Sequence, residues 1–326
     1  MKTSIILTSI FFIIFTALLG DDKSINNIEL GKLLEKADSL FNSRQFQQSR
    51  EVYKQAAKLA ENSQDNSSLT ETYSMIARTF LTLDKKEIGR KWIYKAQSIA
   101  NIEEPSGWSR YLGVRGRFEW RDNELDKAQI TFTEMYEFCS TQKLHERAID
   151  AARMMAIVSD LEGQVLWGKK GIAEAEAGNV RRLLGSLWNN LAATYEDMGQ
   201  YKDAVLAYLK ARDYHYEFGD ETTKMIANWA LGHAFRLNDD IPNAIKWMTP
   251  VLPSAIKLNN IEFIGWTHDE LGEIELIKEN NKTALEHFTK AAEYLKEADM
   301  PNWDPDGYQK QLEKIKKTEL LINSND

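Results

Sequence analysis

The chain has 326 residues, 43% of them hydrophobic and 28% charged, with a formal net charge of −8. That length and mix exclude wholesale disorder and allow a sizeable core, and the acidic balance gives no sign of a nucleic-acid partner. A single cysteine, Cys139, excludes a disulfide framework. The five histidines (His145, His215, His233, His268, His287) show no two-histidine ligand spacing, so no metal site is expected.

The first element stands apart from the rest. Met1-Lys2 precedes Ile5–Leu19, an almost unbroken apolar run, and Gly20 and Asp21-Asp22-Lys23 follow it. This is the layout of a secretory signal peptide, and the run falls short of the ~20 residues of a comfortable membrane span. Leu18 stands where cleavage after Gly20 would prefer a small residue, so an uncleaved anchor stays open beside cleaved export. Either reading puts the body outside the cytoplasm, exported (periplasmic or extracellular) or anchored to the membrane.

Beyond residue 30 the sequence repeats. Residues 185–218 give the clearest unit: Trp188, Leu191-Ala192, Tyr195, Gly199, Tyr201, Ala204, Tyr208 and Ala211. Small pivot residues recur at Ala37, Ala77, Gly116, Ala156, Ala192, Gly232 and Gly272, spaced 36 to 40 apart. Twelve residues after each pivot is another small residue, from Ser49 and Gly89 to Ala244 and Ala284. Sixteen after is a bulky apolar one: Tyr53, Ile93, Phe132, Ile172, Tyr208, Met248, Phe288. Two small columns let paired helices approach closely, and the bulky column fills the gap toward the next pair. Such a pair cannot bury its apolar face alone and must stack on neighbours.

The unit at 185–218 resembles the tetratricopeptide pattern W-x-x-L-G-x-x-Y…A-x-x-x-F…A, with Ala192 in place of the glycine. The resemblance implies an all-α fold, a right-handed α-solenoid of about seven antiparallel helical hairpins with a C-terminal capping helix. The expected organisation is residues 1–20 signal peptide or anchor, 21–29 linker, 30–300 solenoid and 301–326 capping helix and tail. Three residues after the pivot, Glu119, Ser159 and Glu275 depart from the aromatic or aliphatic contact seen elsewhere. Pro250 and Pro253 fall inside the expected second helix of repeat six. An interior proline costs ~3 kcal/mol, so a kink or early stop is expected there.

In the superfamily, residues three before and one, four and five after the pivot line the concave groove. This places Arg78, Arg117, Arg121 and Arg153 on one face of repeats two to four, with Arg110 six before its pivot. Asn189, His233 and Arg236 continue the face, and Trp120 and Trp229 map to it as candidate anchors; Trp188 is expected in the core. A guanidinium fork binds carboxylates bidentately, so the face suits an acidic or C-terminal-carboxylate peptide. The competing reading is a charge-balanced surface, with Asp150 and Asp160 pairing these arginines.

No phosphate loop, nucleophile elbow, His-Glu-x-x-His or paired-cysteine motif is present. Neither enzymatic activity nor a cofactor, a metal or a small-molecule substrate is expected. The expected function is a non-enzymatic protein-interaction scaffold, monomeric, that takes a protein or peptide with an acidic segment. A membrane-anchored sensor or adaptor subunit is the alternative.

Overall fold

The computed structural model describes residues 27–325, and the expected export or anchor segment lies outside them. Every regular element among the described residues is helical. By internal contacts the chain divides at Ser159/Asp160 into two compact units.

The first unit holds α1 (27–42), α2 (Phe46–Ser63), α3 (Asn66–Thr82), α4 (Lys86–Gln97), α5 (Pro105–Arg121), α6 (Leu125–Thr141) and α7 (His145–Ile157). The second holds α8 (Leu161–Ala177), a 3-10 turn at Arg181–Leu183, α9 (Leu184–Asp197), α10 (Tyr201–Phe218) and α11 (Glu221–Leu237). It continues through α12 (Ile241–Met248), α13 (Val251–Lys257), α14 (Ile261–Ile277), α15 (Asn281–Glu297), α16 (Met300–Trp303) and α17 (Pro305–Asn325). Within each unit, consecutive helices pack as antiparallel hairpins.

The repeating columns form the core. Ala37, Ala77, Ala192, Ala128, Ala204, Ala244 and Ala284 are all fully buried, and so are Tyr53, Phe132, Met248 and Phe288 from the bulky column. The small residues are small because the neighbouring helix occupies the space. A Cβ on Gly116 would lie 2.6 Å from Cε1 of Phe132, and one on Gly272 would lie 2.6 Å from Cε1 of Phe288. Where the second small residue is Ser49, its hydroxyl donates to the Ala37 carbonyl at 2.8 Å, which satisfies a polar atom that the close approach buries. In repeat four the small residues Ala156 and Gly168 are each only half-buried.

Seven residues after the pivot the chain turns through one left-handed residue: Arg44, Asp84, Asn123, Gly199, Asp239 and Glu279, with φ between 56° and 70°. The amide that follows donates back to the carbonyl five residues earlier, as in Glu124 N to Glu119 O (2.9 Å) and Asn280 N to Glu275 O (2.9 Å). This turn satisfies the orphan carbonyls of the first helix and sets the start of the second. Repeat four again differs: Asp160 caps α8 by accepting from Gly163 N at 2.9 Å. Asp160 is therefore a helix cap, not the arginine partner expected from sequence.

The expected break in repeat six is present. α12 stops at Met248 and α13 starts at Val251, so Pro250 sits at the join and Pro253 in the first turn, where no helical donor is lost. The terminal helix α17 covers α15. Its Gln311 and Thr318 are buried, and Gln311 Nε2 donates to the Phe288 carbonyl at 3.3 Å.

Candidate functional site

In the first unit, the positions six before the pivot carry Glu71, Arg110 and Asp150 on α3, α5 and α7. One after the pivot are Asp38, Arg78 and Arg117 on α1, α3 and α5. These two registers lie seven residues apart, about two turns, so they share one helix face. Consecutive first helices thus present carboxylates and guanidinium groups to one another along a single charged face.

The pairs are close. Arg110 donates from Nη2 to Asp38 Oδ2 at 2.8 Å and from Nε to Glu71 Oε1 at 3.0 Å. Arg147 reaches the same Glu71 oxygen at 2.6 Å, and the Tyr53 hydroxyl donates to the other Asp38 oxygen. Arg117 spans from the Gly113 carbonyl (2.8 Å) to Asp150 Oδ1 (2.7 Å). Burial opposes ionisation of Asp150, but the positive charges of Arg117 and Arg78 outweigh it and hold the carboxyl well below the usual range. Burial likewise opposes the Glu71 charge, and Arg110 and Arg147 overcome it.

One guanidinium in this face makes no direct contact with a carboxylate. Arg78 lies over the Phe41 ring, 4.8 Å from its centroid, and makes no ion pair among the described residues. Burial and then the repulsion of Arg117 push its pKa down to about 9. Arg153 extends the face, exposed, close enough for its charge to act on Asp150. Three carboxylates (Asp38, Glu71, Asp150) therefore stand against five guanidinium groups (Arg78, Arg110, Arg117, Arg147, Arg153). The face carries unspent positive charge although the whole chain is acidic.

Arg121 and Trp120 end α5 near the edge. Arg121 is exposed and pairs with Asp84 Oδ1 at 2.8 Å, and Trp120 is 36% exposed.

The second unit holds a separate network. Glu270, 3% exposed, accepts from Arg236 Nε at 2.7 Å and Nη2 at 3.0 Å, and lies 2.8 Å from His233 Nδ1. Burial resists the Glu270 charge, but His233 and Arg236 bring its pKa down to about 2. His233 is raised in turn, Glu270 outweighing its burial. Trp229 stacks on His233 with centroids 5.2 Å apart, and Phe263 meets it edge-on. Lys314 of α17 neutralises Asp269 and Glu273, each at 2.8 Å. Trp188 packs against the core, and Asn189 beside it is half-buried.

Asp38, Glu71, Arg147 and Glu270 are site residues that the sequence reading passed over. A signal for Glu71 was present: it stands 39 residues before Arg110, the spacing of their pivots, with opposite charge in the same column.

Stacked two-helix repeats with small pivot columns, left-handed turns and a polar terminal helix define the class, a helical-repeat protein. Residues 185–211 match the family model for the tetratricopeptide repeat. The chain thus carries a tetratricopeptide repeat at 185–211 within a fold of stacked helical hairpins of the same kind. No curated protein matches it in sequence. Among solved structures it is similar to the apo form of RapI (TM-score 0.68, 14% identity, 90% of this chain and 86% of that one). It is also similar to a signal-transduction ATPase with a tetratricopeptide repeat sensor from Pyrococcus horikoshii (TM-score 0.65, 16% identity, 82% of this chain). The chain spans 42% of that protein. A Rap protein complexed with competence and sporulation factor gives a TM-score of 0.52 at 13% identity, over 91% of this chain and 87% of that one. At such identities the likeness is one of fold.

Proposed function

We propose that the protein is a non-enzymatic interaction scaffold whose first unit captures an acidic segment of a protein partner on the face built by Arg78, Arg117 and Arg153. The observation that carries this reading is Arg78, a guanidinium that makes no direct ion pair, repelled by Arg117 and attracted only at a distance by Asp150, which Arg117 already holds. A half-buried charge of this kind is costly unless something pairs with it, and a partner's carboxylate supplies the direct pair that Arg78 lacks. Binding of a partner by the Rap protein complexed with competence and sporulation factor supports the class of function, and the charge of the segment rests on this chain's own arginines.

The test is fluorescence anisotropy with a labelled octapeptide of Glu and Ala residues, its amidated form, and an all-Ala control. The acidic peptides bind, the control does not, and Arg78→Met combined with Arg153→Glu abolishes binding with the helical circular-dichroism signal intact. Equal binding by wild type and double variant sinks the proposal.

The scaffold is further proposed to work outside the cytoplasm, on the strength of the apolar run at Ile5–Leu19. Fractionation of the native protein with N-terminal sequencing tests this. A chain recovered in the cytoplasm with its first residues intact overturns it, whereas an intact chain in the membrane fraction supports the anchored adaptor form.

A further inference from the structure

The arginine face also has an apolar part, and the inference about it rests on the acidic-segment reading. One residue after the pivot, the first three repeats carry Asp38, Arg78 and Arg117, and the fourth carries Ile157. Ile157 is 54% exposed, an apolar side chain in an otherwise charged column, one helical turn beyond Arg153 on α7. On α5, Trp120 stands three residues beyond Arg117 and is 36% exposed. Arg117 reaches Asp150, so α5 and α7 lie side by side. On both helices the surface passes from guanidinium to exposed apolar within about one turn toward the C-terminus.

Trp120 is unoccupied. Every other tryptophan stacks, hydrogen-bonds or packs into the core, as Trp229 does on His233 and Trp303 through its indole N–H to the Ala298 carbonyl. The Trp120 indole makes no ring contact or hydrogen bond among the described residues. The other large apolar side chains exposed in this unit lie elsewhere: Ile88, Tyr94, Leu125 and Ile130 on second helices, Ile102 in a connection, Ile28 at the start of α1. A single exposed apolar residue needs no explanation, but two on adjacent helices beside unspent cations form an apolar step next to a cationic one. A tryptophan held on a rigid helix is the residue type that anchors interfaces. Charge fixes the occupant, because whatever covers this step must also sit against Arg117 and Arg153. An extended segment advances ~3.3 Å per residue and a helical turn ~5.4 Å, so its two groups stand one or two residues apart.

We propose that Trp120 and Ile157 set the specificity of this face: the partner's acidic segment carries a bulky apolar side chain within two residues of its carboxylate, and that side chain covers the pair.

Fluorescence anisotropy on the full chain tests this with three labelled octapeptides. One is the Glu/Ala peptide, one has Leu at the two positions after a central Glu, and one has those leucines and no Glu. The peptide with both binds about fivefold tighter than its Glu/Ala parent, the change expected from half-burying one leucine. Trp120→Ala and Ile157→Ser each remove that gain, leave binding of the Glu/Ala peptide unchanged and keep the helical circular-dichroism signal. Ile130→Ser, at a more exposed site on α6, keeps the gain. Equal binding of the two acidic peptides, a gain that survives both variants, or an equal loss in Ile130→Ser overturns the assignment. So does a leucine peptide that binds as tightly without Glu, since the step would then act alone. Where the Glu/Ala peptide binds and leucine adds nothing, the scaffold reading stands and this inference falls. Where no acidic peptide binds, both fall.

Discussion

Removing the Glu270 carboxylate tests the charge network of the second unit. Glu270→Ala leaves Arg236 and His233, with 15% and 24% of their side chains exposed, facing each other across an emptied site. Breaking a buried pair by deleting one partner costs ~3–5 kcal/mol, and partial exposure of the two cations puts this case at the low end, about 3 kcal/mol. For a cooperative block of 150–250 residues each kcal/mol moves Tm by ~2–4 °C, so the expected loss is about 6–12 °C. The readout is differential scanning calorimetry of wild type and variant across pH.

The pH dependence carries a signature of its own. The Glu270 pKa falls from 4.5 to about 2 on folding, so its contribution is present above 4.5 and is lost as pH falls toward 2. His233 is raised above 6.5, so its contribution is complete below 6.5 and is lost as pH rises through its folded value. Wild type and variant should therefore differ most between pH 4.5 and 6.5, with the gap narrowing on either side. A Tm loss below 2 °C at pH 6, or a gap independent of pH, refutes the reasoning.

Other predictions follow from particular contacts. Gly116→Val places carbon atoms inside the van der Waals radius of Phe132 and should cost ~1–3 kcal/mol in a urea titration, whereas an unchanged midpoint would mean that the pivot is not a close contact. Glu279→Gly relieves a left-handed backbone (φ 62°) and should raise stability by up to ~1 kcal/mol; loss of stability would contradict the turn assignment. His268 and His287 share a 2.9 Å hydrogen bond between their Nδ1 atoms. Burial, His287 and Lys290 push His268 down to about 4, and burial and Lys290 lower His287. Folded pKa values below 6.5 mean that stability is lost as pH falls from 6.5 toward 4. His268→Phe should flatten that slope in thermal melts, and an unaltered slope would remove the pair as its source.

The sequence carried the core and only part of the site, for a physical reason. A pivot such as Ala77 has one acceptable size because Gly89 and its helix lie against it, so packing writes itself into every repeat as a column. A charge column obeys no such constraint. Glu71, Arg110 and Asp150 occupy one register with alternating sign, and each sign makes sense only from its neighbour in another repeat. Arg117 could be read as a groove residue from its place beside Gly116, but its partner Asp150 lies 33 residues away on α7. The stacking of Trp229 on His233 is likewise a tertiary fact. The turn residues were half legible: Gly199 fits the family pattern, while Arg44 and Glu279 adopt the same left-handed geometry without the residue type that announces it.

The spacing of the ion pairs sharpens what Arg78 implies. Arg110–Glu71, Arg117–Asp150, Arg121–Asp84 and Arg236–Glu270 are 39, 33, 37 and 34 residues apart, close to one repeat, so each hairpin neutralises its neighbour. Arg78 breaks that rule and should cost the fold stability instead of supplying it. Its pKa falls to about 9 from 12.5, so the charged form is disfavoured on folding, and this cost is present at neutral pH and relieved as pH rises past 9. Arg78→Met removes the charge, keeps an apolar stem over Phe41, and should raise stability by about 1 kcal/mol once solvent relaxation is allowed for. Arg110→Met, which takes the only cation from Asp38 and leaves Glu71 with Arg147 alone, should lower it by ~2–3 kcal/mol. Urea titrations of the two variants decide the matter. If Arg78→Met destabilises the protein as much as Arg110→Met, Arg78 is a structural residue and its unpaired charge says nothing of a partner. If it stabilises while acidic-peptide binding disappears, the chain retains an unfavourable charge that only a partner's carboxylate neutralises.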